Sequence, residues 1–157
     1  MIFHRNVLDR LSFMAEHFPV VMVCGARQVG KTTLLKEFAQ KNGEINYVTL
    51  DYPNVRELAK SDPELFLKQY KKENAPLVID EIQYAPEILP YIKIFVDENA
   101  LSENCNGQFF LTGSQMFYLM KNVSESLAGR VGIISLYSFS RREIFSLDSV
   151  PFLPSND

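Results

Sequence analysis

The sequence predicts an α/β domain of three layers, a parallel sheet of about five strands covered by helices on both faces. Three observations lead there. Short apolar runs rich in Val, Ile, Leu and Phe alternate along the chain with stretches at helical spacing, the pattern of parallel sheets with helical crossovers. The runs are apolar at every position rather than at alternate ones, as strands buried on both faces must be. The chain has 157 residues, 46% hydrophobic and 22% charged. That is enough for one domain with its own core, and it argues against a disordered or fibrous chain.

The elements follow in order. Val7, Leu8, Leu11, Met14 and Phe18 recur at helical spacing and predict an amphipathic helix within residues 1–18, ended by Pro19. Val20 to Cys24 is a buried strand, and Gly25 to Gly30 a polar loop. Lys31 to Gln40 returns to helix, with Leu34, Leu35, Phe38 and Ala39 on one face. Ile45 to Leu50 is the second strand, ending at Asp51. Asp62-Pro63-Glu64 is an N-cap with proline at the first helical position, opening a helix that carries Leu65, Phe66 and Tyr70.

Leu77 to Ile79 is the third strand, closed by Asp80 and Glu81. Ile88, Leu89, Ile92, Phe95 and Val96 form a helix whose start Pro86 and Pro90 leave open by several residues. Phe109 to Leu111 is the fourth strand, ending at Thr112-Gly113-Ser114. Phe117, Met120, Val123 and Leu127 predict a helix stopped at Gly129, and Val131 to Leu136 is the fifth strand. The tail frays after Phe139; the core is set at 1–145 and an irregular tail at 146–157.

Composition narrows the function. The net charge is −3, whereas a domain gripping nucleic acid by its phosphates normally carries a basic excess. Nucleic acid is therefore not indicated, though a local basic patch stays open. Lys68, Lys71 and Lys72 read as a solvated helix face. Cys24 and Cys105 form no CxxC pair, and His4 and His17 lack ligand partners at metal spacing. No apolar run approaches the ~18 residues of a membrane span, and no signal peptide is evident at the N-terminus. A cytoplasmic protein with no membrane partner is the expectation.

The most specific feature is Gly25-Ala26-Arg27-Gln28-Val29-Gly30-Lys31-Thr32, followed by Thr33. It fits GxxxxGK[ST], the P-loop. Phosphate is held best by several converging backbone N–H groups, which bulky side chains would block. The helix opening near Lys31 adds its own free N–H groups and positive end. Lys31 is expected to reach the β- and γ-phosphates and Thr32 to ligate Mg²⁺. By usual composition a window matches by chance about 3 times in 100,000, so coincidence is a poor explanation.

Leu77-Val78-Ile79-Asp80-Glu81 is an apolar strand closing with two carboxylates, 49 positions after Lys31 (80 − 31). By itself this is an acidic turn. Behind a P-loop it supplies what Mg²⁺-nucleotide chemistry lacks: Asp80 to hold a water of the metal, and Glu81 to orient or deprotonate an attacking water. Adjacent Asp-Glu is the arrangement of ATP hydrolases. A small-molecule kinase is the less favoured enzyme reading, and no NKxD-type guanine motif is present.

Five segments in order, GARQVGKTTLL at 25–35, VIDEIQYAPEILPYIKIFVD at 78–97, FLTGSQ at 110–115, SLAGRV at 126–131 and SFSRREIF at 138–145, resemble a group of bacterial and archaeal AAA-type ATPases. In that group an N-terminal ATPase core precedes a C-terminal domain of unknown function, which would be absent here. The resemblance implies the P-loop NTPase fold, with an extra strand between the P-loop strand and the Asp-Glu strand. It also implies ATP and Mg²⁺ as ligands, and a homo-oligomer or partner protein. Ser114 matches the family's polar sensor, with Thr112 as alternative and a helix cap as the bland reading. Arg130 matches an arginine that could stabilise phosphate charge in cis or from a neighbour, or be a surface residue. Gln83 could orient Glu81 or cap the loop, and Asp51 reads as an acidic turn. The function expected is ATP hydrolysis; the alternative is a nucleotide-binding interaction module with little turnover.

Overall fold

The computed structural model describes residues 7–43, 45–72, 75–101, 105–114, 123, 125–140 and 143. Five strands, β1 (Val20–Cys24), β2 (Asn46–Thr49), β3 (Leu77–Asp80), β4 (Phe109–Gly113) and β5 (Val131–Ser135), form one sheet. Its order is β2-β3-β4-β1-β5, and every pairing is parallel. Helices among the described residues include α1 (Leu8–His17), α2 (Lys31–Asn42), α3 (Pro53–Ser61), α4 (Pro63–Tyr70) and α5 (Leu89–Glu98). β4 lies between β1 and β3, the place the family resemblance assigns to the strand ending at Ser114.

Strand alternation divides the core in two. Val20, Met22 and Cys24 face a cluster built with Ala59, Phe66, Ile88, Leu89 and Ile92 from α3 to α5 and the turn before α5. Val21 and Val23 face Leu8 and Leu11 of α1 and Leu34, Leu35 and Phe38 of α2. Period-two side chains on β1 thus supply both faces. Each fully buried Leu, Phe or Ile contributes about 1.5–3 kcal/mol relative to exposure. α1 lies so close to β5 that a Cβ at Gly132 would fall 2.8 Å from Met14 Sδ.

The strands stand where the sequence places them, within a residue or two. α4 opens as expected, with the Asp62 side chain accepting from the Leu65 N–H at 2.9 Å and Pro63 in the first turn. α3 is an element the sequence reading lacks. Only Val55, Leu58 and Ala59 mark its inner face, and Pro53 opens it directly after the β2 turn. α5 starts at Leu89, after two short 3-10 turns at Ile82–Tyr84 and Pro86–Ile88. Of the helix expected from Phe117, Val123 and Leu127 are core residues; Phe117 and Met120 lie outside the described residues.

Two surface expectations change. Lys68 is exposed and paired with Glu64 at 2.6 Å, but Lys71 is half-buried. Its ammonium donates to the Lys72 and Ala75 carbonyls and lies near the rings of Phe95 and Phe109. Burial lowers its pKa. Beyond Phe139, Ser140 and Glu143 exchange the reciprocal bonds of a capping box rather than fray; Arg141, Arg142 and residues 144–157, with the expected tail, lie outside the described residues, as does His4. Among the described residues no cluster of metal-ligating side chains occurs, and no helix is long and apolar enough to cross a membrane.

Candidate functional site

All five strands point their carboxyl ends at one edge of the sheet, where open parallel sheets bind ligands. The loop Gly25–Gly30 joins β1 to α2 there. Its first residue is wedged between neighbouring strands: the Gly25 N–H donates to the Gly113 carbonyl at 3.3 Å. On the other side the Leu136 N–H donates to the Cys24 carbonyl at 2.7 Å. A Cβ at Gly25 would sit 2.2 Å from the Leu136 carbonyl oxygen, so no larger residue fits. Gly30 caps α2 with φ +94°, and Gln28 also has positive φ, values that glycine adopts freely and other residues rarely.

Ala26, Arg27 and Gln28 are exposed, Val29 and Gly30 partly so. The loop therefore presents backbone to solvent beside the free N–H groups of α2, whose first turn carries Thr32 and an exposed Thr33. Lys31 is buried and folds back over the loop, its Nζ donating to Gly25 O at 3.2 Å and Ala26 O at 3.0 Å. Arg27 reaches out to the Tyr84 hydroxyl at 3.5 Å.

Asp80 ends β3 and is 6% exposed. A buried carboxylate needs donors, and three hydroxyls provide them. Thr32 donates to Oδ2 at 3.0 Å, Tyr47 to the same oxygen at 2.5 Å, and Thr112 to Oδ1. Thr32 and Asp80 thus place two hard oxygen donors side by side next to the loop, a set suited to a magnesium ion that keeps most of its water.

Glu81 leaves the strand in a left-handed conformation, φ 59° and ψ 48°, which costs a non-glycine residue about 1–3 kcal/mol. Two backbone bonds hold it: its N–H donates to Thr112 Oγ1 at 3.1 Å, and its carbonyl accepts from the Tyr84 N–H at 3.1 Å. Its carboxylate Oε2 accepts from the Gln83 amide and from Ser114 Oγ at 3.3 Å. Ser114, beyond β4, in turn accepts from Gln83 Nε2 at 3.2 Å.

The structure brings Lys31, Thr32, Asp80, Glu81 and Ser114 together, with Gln83 beneath. Arg130 is elsewhere. It precedes β5 at the amino edge, where it pairs bidentately with Asp97 at 2.5 and 3.0 Å and donates to the Ala128 carbonyl at 2.8 Å. Asp51 is exposed in a turn whose backbone bonds to Thr49 Oγ1 and to Arg56. Tyr47 is the site residue the sequence reading lacks. It pairs with Val78 in the β2–β3 register, so it shares a face with Asp80 two residues on. Burial, then the Asp80 carboxylate, push its phenol above the usual pKa. Nothing in a strand's own sequence reveals such a cross-strand neighbour.

The chain is similar to known proteins in sequence and in fold. Residues 17–145 match the AAA_14 family, described as an AAA domain. The uncharacterized protein Rv2008c of Mycobacterium tuberculosis is 31% identical over 146 residues. That match covers 93% of this chain but 31% of the relative, so the chain spans about a third of its length. Among solved structures, the Walker-type ATPase PABY2304 of Pyrococcus abyssi superimposes with TM-score 0.60 at 19% identity, over 90% of this chain and 55% of that one. A RuvB variant of Thermotoga maritima gives 0.59 at 22% identity, over 92% and 49%. At such identities these likenesses show the fold alone, that of P-loop ATPases, and together with the family match they support nucleotide binding. The chain belongs to the AAA_14 family of AAA domains.

Proposed function

We propose that this domain binds Mg-ATP at the Gly25–Thr32 loop and hydrolyses it to ADP and phosphate. The observation that carries the reading is the convergence of Lys31, Thr32, Asp80 and Glu81 on one sheet edge. The loop's N–H groups and the α2 terminus hold the phosphates by hydrogen bonds and dipole. Lys31 exchanges its two carbonyl partners for β- and γ-phosphate oxygens, a stronger charge-assisted pairing. Thr32 and Asp80 would hold the magnesium ion, which would supply neutralisation of phosphate charge. Glu81 orients the water and takes its proton as the oxygen attacks phosphorus. Ser114 contacts that water or the γ-phosphate as a sensor. A cleft of about 240 Å³ beside the loop, lined by Val7, Leu136, Tyr137 and Ser138, offers room for the base.

A second reading is a nucleotide-dependent interaction module with slow turnover by the isolated chain. The position of Arg130 favours it. Tied to Asp97 at the opposite edge, Arg130 serves a phosphate only across an interface between copies. Both readings make the domain 1–145 the nucleotide-binding core.

Phosphate release by Glu81→Gln against the parent tests the hydrolytic reading. The variant keeps nucleotide affinity and loses turnover by about 100-fold or more. Equal rates in the two proteins refute Glu81 as the catalytic carboxylate.

A further inference from the structure

We propose that Gln83 is a positioning residue for hydrolysis, a clamp that fixes the Glu81 carboxylate and couples it to Ser114. The inference rests on the ATPase reading above. Three contacts form a closed ring: Gln83 Nε2 to Glu81 Oε2, Gln83 Nε2 to Ser114 Oγ at 3.2 Å, and Ser114 Oγ to Glu81 Oε2 at 3.3 Å. Both donors meet Glu81 at the same oxygen. These contacts occupy Oε2 and leave Oε1 to accept the water's proton.

The clamp is built into the fold. Gln83 is 8% exposed, in a 3-10 turn between the strained Glu81 and the turn leading to α5. Ile82 just before it and Ala85 two residues after it are fully buried in the core, which anchors the backbone beneath the amide. Its Oε1 is buried without a partner. A glutamine chosen only to fill space would satisfy that oxygen or be replaced by an apolar side chain; here the donor end is kept although the acceptor end goes unmet. The amide bridges the ends of β3 and β4, so a shift of Ser114 toward a phosphate changes what holds Glu81.

Steady-state hydrolysis and nucleotide titration of the whole chain test this with Gln83→Met, Ser114→Ala and the double variant, beside Glu81→Gln. Methionine keeps the length and burial of Gln83 but donates nothing. Gln83→Met lowers kcat about 10- to 100-fold, with KM and nucleotide affinity within about 2-fold of the parent. The double variant is no slower than the slower single, because both groups act through one clamp. Should Gln83→Met not fold, Gln83→Asn retains the amide and shortens its reach, and the same loss at parental affinity is expected. Parental kcat in the folded Gln83 variant overturns the clamp, and losses that multiply in the double variant overturn the coupling. A parent without turnover, or a Glu81→Gln rate equal to the parent's, instead overturns the ATPase reading and the clamp with it.

Discussion

The Thr112 hydroxyl donates to Asp80 Oδ1 from the neighbouring strand while accepting the N–H of Glu81 at 3.1 Å. One fully buried side chain therefore holds the Asp80 carboxylate and the Glu81 backbone. Thr112→Val keeps the shape and removes the hydroxyl, leaving two groups short of a partner. Each such group costs about 1–3 kcal/mol, so the urea midpoint falls by about 1 M or more. An unchanged midpoint would show that the hydroxyl supports neither the Asp80 carboxylate nor the Glu81 N–H.

Gly25 has a steric rather than a conformational reason to be glycine. A Cβ there meets the Leu136 backbone oxygen at 2.2 Å, and that backbone is held by the Leu136 N–H bond to Cys24. Gly25→Ala must push β5 away from β1 or displace the loop. Overpacking of this kind costs about 1–3 kcal/mol or more. The melting temperature drops by about 5 °C or more, and nucleotide affinity drops with it. A variant that melts and binds like the parent would contradict the tight approach.

The Arg130–Asp97 pair gives a pH test with a defined sign. The Arg130 guanidinium holds the Asp97 carboxyl below its ordinary pKa. A carboxyl depressed in the folded state contributes stability above its unfolded value of about 3.9 and loses it as pH falls through the folded value. Asp97→Asn is therefore slightly less stable than the parent near neutral pH, and the gap closes as pH falls through the depressed folded value. A gap constant with pH would mean that the pair is not what Asp97 contributes. The pair is exposed, so the effect is small.

Much of the architecture and of the site is legible in the sequence. The loop with its lysine and the Asp80-Glu81 pair are each local in the chain, and the loop's spacing is what backbone binding of phosphate asks for. The strands are legible because burial on both faces forces continuous apolar runs. α3 is not, since its three inward residues fall between a proline and a second capped proline helix and give too short a period. The Tyr47–Asp80 and Gln83–Ser114 contacts are not derivable from sequence, because each depends on which strands are neighbours and in what register. Family resemblance places Ser114, and the β3–β4 adjacency accounts for its contact with Glu81. Lys71 has the sequence context of a surface cation, yet its ammonium lies near the Phe95 ring of α5, and only the tertiary contact reveals that.

The central claim is that the Gly25–Thr32 loop holds the phosphates of Mg-ATP, with Lys31 as its cationic contact. Calorimetric titration of Mg-ATP into the parent and into Lys31→Ala tests it most directly. The account predicts saturable binding by the parent and about 100-fold weaker binding by the variant, the loss of a charge-assisted hydrogen-bonding group, with the circular dichroism spectrum unchanged. Equal affinity in a folded Lys31→Ala chain would contradict it.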